Sequence, residues 1–257
     1  MKINLGRIVD ALSNAVLVTA ASCLSSAVVL YSLSKRADED VQEYVEESID
    51  TIIDDQEEVL GIKYQGKPQL YYRLPEELID PLDRFGGMIA GKYYPEEQAI
   101  YLRSGIFTTP HGGIEDVLAT FFTLGATVDA LPVISHELAH YYTNQRGGEL
   151  TDGGDWWIKE VNAARNPEQQ HALFVVIEGI ATYVQNRVHS HEDFERSNIP
   201  RNYREAFDFV KPIIDRFGSR GIDHLILNTP SPEEIESPGI YHARAFATLG
   251  FPEKSLP

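Results

Sequence analysis

The chain has 257 residues, with 39 acidic against 22 basic side chains and a net charge of −17. That balance excludes a phosphate-backbone partner and docking on an anionic lipid surface, since both need positive charge, so no nucleic acid partner is expected. The single cysteine, Cys23, excludes an internal disulfide framework and a cysteine-rich zinc site, leaving histidine and carboxylate as the available metal ligands.

Ala11 to Ser34 carries no charge and is long enough to cross a bilayer core of about 30 Å as a helix. As a signal peptide it offers Ser25-Ser26-Ala27 as a cleavage site. The apolar run continues through Val28-Val29-Leu30-Tyr31, which favours an uncleaved anchor. Residues 1–36 are accordingly expected to be a membrane anchor or signal segment, with the lipid bilayer as partner through 11–34. Lys2, Arg7, Lys35 and Arg36 flank the run on both sides, so charge hardly sets the orientation; an extracytoplasmic domain is expected. Residues 37–257 are expected to form one domain.

Asp38 to Glu58 holds eleven acidic residues and no basic one. Val41, Tyr44, Val45, Ile49, Ile52 and Val59 nevertheless recur at three- and four-residue steps. The pattern predicts an amphipathic helix with an acidic outer face, a stalk or first helix over 37–60. Ile62-Lys63-Tyr64 and Gln69-Leu70-Tyr71-Tyr72 read as short strands. Met88–Tyr94, the polar turn Pro95-Glu96-Glu97-Gln98 and Ala99–Leu102 read as a hairpin.

Ile114 to Ser135 is largely apolar, but Gly125 and Pro132 divide it into two helices, about 113–124 and 130–145, rather than a second span. Pro132 falls in the first turn of the second helix and Gly147-Gly148 are expected to end it. A polar connection with Trp156-Trp157 follows, these rings suiting core packing more than a substrate cleft. Asn166-Pro167 supplies a cap and a first-turn proline for a helix to about Val188. Another spans about Asn202 to Phe217, and the proline-containing tail reads as loop-rich.

Within the second helix, His136-Glu137-Leu138-Ala139-His140 places two imidazoles four residues apart on one face, a spacing at which both can hold one Zn²⁺. Glu137, one residue on, lies beside such a metal, where a general base for a bound water belongs. A catalytic zinc needs a third protein ligand. Glu178 is preferred, since it stands on the apolar face of the 167–188 helix, where an unpaired carboxylate is costly. His171, His189 and His191 are the alternatives. Gly179 and Ala181 are small and would let that helix approach the histidines.

These residues resemble the gluzincin metallopeptidases, thermolysin-like zinc enzymes that pair an HExxH helix with a glutamate on a following helix, often in a context like Glu178-Gly179-Ile180-Ala181-Thr182-Tyr183. Thr143 and Arg146 exclude the metzincin pattern. The Pro230–Tyr241 stretch resembles a tail of some bacterial gluzincin-like proteins, with Ser237-Pro238 where those show His-Pro. Thr182 stands where many gluzincins carry the acid that orients a zinc histidine.

With the 11–34 run read as an N-terminal transmembrane helix, the resemblance implies an α+β fold, the helix being followed by a mostly helical zincin-like domain with a small mixed sheet. It implies that the strand Ala99–Leu102 borders the cleft and could pair with an extended peptide. The function implied is a membrane-anchored zinc metallopeptidase with one Zn²⁺ per chain on His136, His140 and Glu178, and a peptide or protein substrate. Glu137 would be the base, and Tyr241 or His242, with Tyr183 behind them, the oxyanion donor. The alternatives are a catalytically inactive, membrane-tethered binding module on the same scaffold, or a hydrolase of non-peptide amides.

Overall fold

A computed structural model of the chain describes residues 39, 41–72, 90–102, 107–108, 128–151, 153–189 and 201–250. Helix α1 covers 41–60. The strands are β1 (Gln69–Tyr71), β2 (Gly91–Tyr94), β3 (Ala99–Leu102), β4 (Phe107–Thr108) and β5 (Val128–Asp129). Helices follow as α2 (Ala130–Leu150), α3 (Trp156–Ala163), α4 (Pro167–His189), α5 (Arg201–Phe217), α6 (Ser219–Leu227), α7 (Pro232–Glu236) and α8 (Pro238–Gly250).

The expected fold class is corrected at its membrane element. The fold is a mostly helical domain with a small mixed sheet, and among the described residues no helix is long and apolar enough to cross a membrane. Length alone would suffice for α2 and α4, at 21 and 23 residues. Both, however, interleave charged and polar side chains such as Glu137, Arg146, Glu178 and Arg187, whose cost in hydrocarbon is several kcal/mol, on the order of 3 each. The 11–34 run lies outside the described residues, as does the predicted 113–124 helix. The lipid bilayer partner, the single-pass localisation with an extracytoplasmic domain, and the membrane-tethered form of both functional readings are therefore withdrawn.

Two hydrophobic clusters meet on α2. One gathers Val41, Val45, Ile49, Ile52 and Ile53 of α1 with Tyr93, Ile100, Leu102, Ile134, Leu138 and Tyr141. The acidic helix is thus built into the domain, with its carboxylates turned outward. Gln56, on its buried face, donates from Nε2 to the Ser135 carbonyl at 2.9 Å and hydroxyl at 2.8 Å. The second cluster joins α2 to α4, α5, α6 and α8 through Ala139, Tyr142, Val176, Ile180, Val210, Ile213, Ile222 and Tyr241. A helix covered on both sides needs apolar residues around most of its girth, and α2 has them.

In the sheet, β3 is central, parallel to β1 and antiparallel to β2. Its residues Ala99-Ile100-Tyr101-Leu102 are all buried, as expected of a strand covered on both faces. β3 is therefore no cleft edge; β1 and β2 are the outer strands, and β2 lies against α2. Gly91 makes that approach possible, since a Cβ there would sit 2.8 Å from Val133 Cγ1 and 3.2 Å from Glu137 Cγ. Ile62-Lys63-Tyr64 forms no strand; Ile62 is buried and the Tyr64 hydroxyl donates to Gln56 Oε1 and to the Leu138 carbonyl.

Two further differences have local causes. Gly147-Gly148 do not end α2, which runs on to Leu150. They are contact points: a Cβ on Gly147 would fall 2.3 Å from Trp156 Cγ, and one on Gly148 would fall 2.6 Å from the Gly154 carbonyl oxygen. The described part of the tail is largely helical because Pro232 and Pro238 occupy first turns, where the missing N–H has no intrahelical role. Pro232 opens α7, with Ser231 and Glu234 forming a reciprocal capping box, and Pro238 opens α8.

Candidate metal centre

α2 and α4 pack side by side and bring together the three expected ligand side chains. The hydrogen bond from Gln169 N–H to Asn166 Oδ1 at 2.9 Å caps α4 and fixes where its register begins. From that start Glu178 falls opposite the histidines. Its Oε2 lies 3.1 Å from His136 Nε2 and 3.5 Å from His140 Nε2, and one ligand atom from each residue lies within 4.8 Å of the others. The three side chains could hold a metal ion. Two nitrogens and an oxygen about 2.0–2.2 Å from a tetrahedral zinc would stand about 3.3 Å apart, close to the separations seen. Gly179 does not serve this approach. A Cβ on it would lie 2.5 Å from the Ala206 carbonyl oxygen, so the glycine admits α5 instead.

The charges in the cluster depend on one another. Burial works to raise the Glu178 carboxyl, but the His140 charge and the hydrogen bonds from both histidines outweigh it, and the group is held far below the ordinary carboxylate range. Burial likewise works to lower His136, yet its hydrogen bond to Glu178 and the charges of Glu178 and Glu137 leave it raised. The Glu178 carboxylate is thus paired with both imidazoles.

Glu137 is 7% exposed, and its Oε2 accepts the Tyr93 backbone N–H of β2 at 2.7 Å. That bond aims the carboxylate, and the small Gly91 lets the strand come close enough to make it. Around the cluster, Trp157 sits edge-on to His140 at 5.1 Å and Tyr203 edge-on to His136 at 6.0 Å. Trp156 is the core ring, 1% exposed, while its neighbour Trp157 borders the cluster.

The partner of His136 Nδ1 is Gln185 Oε1 at 3.2 Å, two turns after Glu178 on the same face of α4. Thr182 does not serve, as its hydroxyl is buried with no hydrogen-bond partner among the described residues. The seven-residue step from Glu178 was the signal for Gln185. Trp157 and Tyr203 left no such periodic mark, because they reach the cluster from other elements, whereas Asn144 follows His140 by one turn of α2.

Tyr241 and His242 make their hydrogen bonds elsewhere. The Tyr241 hydroxyl donates to the Asn228 carbonyl at 2.7 Å, and His242 Nε2 donates to the Phe209 carbonyl at 2.8 Å. Tyr183 donates to Asp215 at 2.8 Å. Of the alternative ligands, His171 is exposed beside Phe174, and His191 lies outside the described residues. His189 closes α4, and among the described residues the metal-competent group consists of His136, His140 and Glu178.

Comparison with known proteins gave no matching family model, no matching curated protein and no matching solved structure.

Proposed function

We propose that the chain is a zinc-dependent metallopeptidase, with residues 37–257 as the functional unit. The observation that carries this reading is the convergence of His136, His140 and Glu178 on one point, with Glu137 anchored beside them by the Tyr93 amide. His136 and His140 would supply two neutral nitrogens and Glu178 one carboxylate oxygen, a donor set suited to zinc. When bound, zinc would act as a Lewis acid and lower the pKa of a water molecule towards about 7.

The rest falls to the chain's own residues. The Glu137 carboxylate takes the proton of the attacking water and returns it to the leaving nitrogen of the cleaved peptide. Its bond to the Tyr93 amide keeps it from swinging onto the histidines. Gln185 holds His136 in one ring orientation by its bond to Nδ1. Burial at α2 keeps bulk water from competing for these hydrogen bonds.

The test compares two chemically identical substitutions. Glu137→Gln should leave zinc bound at about one ion per chain and lower turnover of a peptide substrate by about 10²–10⁴-fold. Glu178→Gln should weaken zinc binding first and turnover as a consequence. A wild-type chain that holds no transition metal by elemental analysis overturns the reading. Unchanged peptidase activity in Glu137→Gln removes the base from its role.

A further inference from the structure

The two histidines of the cluster are held by different means. His136 has a hydrogen bond from Nδ1 to Gln185. His140 Nδ1 is buried and meets no hydrogen-bond partner among the described residues. A metal-binding imidazole ordinarily donates that N–H to an oxygen, which fixes the ring plane. Here aromatic rings bound it instead: Trp157 at 5.1 Å and 75°, and His136 at 4.7 Å and 88°.

One side chain docks Trp157. The Trp157 backbone N–H donates to Asn144 Oδ1 at 3.0 Å, and Asn144 Nδ2 donates to the Tyr93 hydroxyl at 3.1 Å. Tyr93 is the residue whose own amide anchors Glu137. Its ring also lies 6.2 Å from that of Trp157. Asn144 stands one helical turn after His140 on α2, is 3% exposed, and spends both ends of its amide on these two bonds.

We infer that Asn144 is a positioning residue for the metal centre, acting through Trp157 on the His140 ring and through Tyr93 on the Glu137 carboxylate. The inference rests on the zinc reading above. An amide fixed to a helix and bonded in two directions sets the distance of both α3 and β2 from α2. With α3 so placed, the Trp157 ring closes the space beside His140 and does the work of the absent Nδ1 hydrogen bond. Removing the amide would take the partner from a half-buried N–H and a buried hydroxyl and let α3 move away, so the imidazole would regain rotation that metal binding must then arrest.

The experiment measures zinc affinity of the full-length chain by competition with a chromophoric chelator. Asn144→Ala and Trp157→Ala should each weaken zinc about 10–100-fold, the range seen when an orienting partner of a ligand is lost. Trp157→Phe retains a ring and the backbone bond to Asn144, so its affinity should stay within about threefold of wild type, as expected of a substitution that keeps the aromatic contact. A merely structural role would not produce this Phe-against-Ala difference in metal affinity. Should Asn144→Ala fail to fold, the two Trp157 variants decide, since both preserve the Asn144 bond. Wild-type zinc affinity in Asn144→Ala, or equal affinity in Trp157→Phe and Trp157→Ala, overturns the inference alone. A wild-type chain that binds no zinc overturns the zinc reading and takes this inference with it.

Discussion

Replacing Gln56 by alanine should destabilise the whole domain, although Gln56 belongs to a helix that looks from sequence like a charged stalk. Gln56 is 0% exposed and links α1 to α2 through the Ser135 carbonyl and hydroxyl, at 2.9 and 2.8 Å, while accepting from Tyr64. Truncation deprives the Ser135 hydroxyl of its partner, at about 1–3 kcal/mol for an orphaned buried group. The Tyr64 hydroxyl keeps its bond to the Leu138 carbonyl at 3.2 Å and so loses about 1 kcal/mol rather than its full desolvation cost. Adding about 1 kcal/mol for the void left by the amide and its methylenes brings the total to about 3–5 kcal/mol. At about 2–4 °C per kcal/mol for a domain of this size, that corresponds to a Tm about 6–20 °C lower.

Urea unfolding followed by far-UV circular dichroism gives the free energy, and the midpoint should fall with an unchanged slope. Gln56→Leu, which refills the volume without restoring the bonds, should recover part of the loss. A loss under about 0.5 kcal/mol, the size expected of a surface substitution, would refute the placement of α1 against α2. Ser135 precedes His136, so zinc affinity should fall together with stability in Gln56→Ala.

Gly91→Val should force β2 away from Val133 and Glu137, costing about 1–3 kcal/mol and lowering peptide turnover more than zinc affinity, as measured by kinetics beside chelator competition. Tyr241→Phe should cost about 1 kcal/mol in urea unfolding through the lost bond to the Asn228 carbonyl, with turnover unchanged; a fall in kcat of about 100-fold would instead give the hydroxyl a part in the reaction. Glu234 is held below its ordinary value chiefly by its hydrogen bond to Arg244. A depressed carboxylate contributes stability that is present above its unfolded pKa, about 4.3, and is lost as pH falls through the lower folded value. Arg244→Leu should therefore move the midpoint of acid unfolding to higher pH while altering zinc affinity little.

What could be read along the chain was whatever one helix or hairpin settles alone. The four-residue step from His136 to His140 puts two imidazoles on one face because helical geometry is local. Asn166-Pro167 announces the start of α4, and with it the face that Glu178 presents, because capping needs only the next few residues. The hairpin around 95–98 follows from β-forming runs on either side of a polar turn. The tail misled for a related reason: Pro232 and Pro238 are helix breakers within a helix but helix starters in its first turn, and at Pro232 the capping box of Ser231 marks the start.

Tertiary structure decided everything that joins segments far apart in the chain. Tyr93 is 44 residues from Glu137, and nothing in either stretch announces that a strand amide will anchor that carboxylate. Gln185 rather than Thr182 meets His136, since the rotation of α4 against α2 is set by packing across their whole contact and not by a four-residue rule. Gly179 turned to α5, Gly147 to Trp156, and the acidic helix to the core, each because a neighbouring element needed the space or the surface. Spacing along the sequence specifies which side chains share a face; which faces meet depends on shape complementarity summed over the domain, and that exists only once the chain is folded.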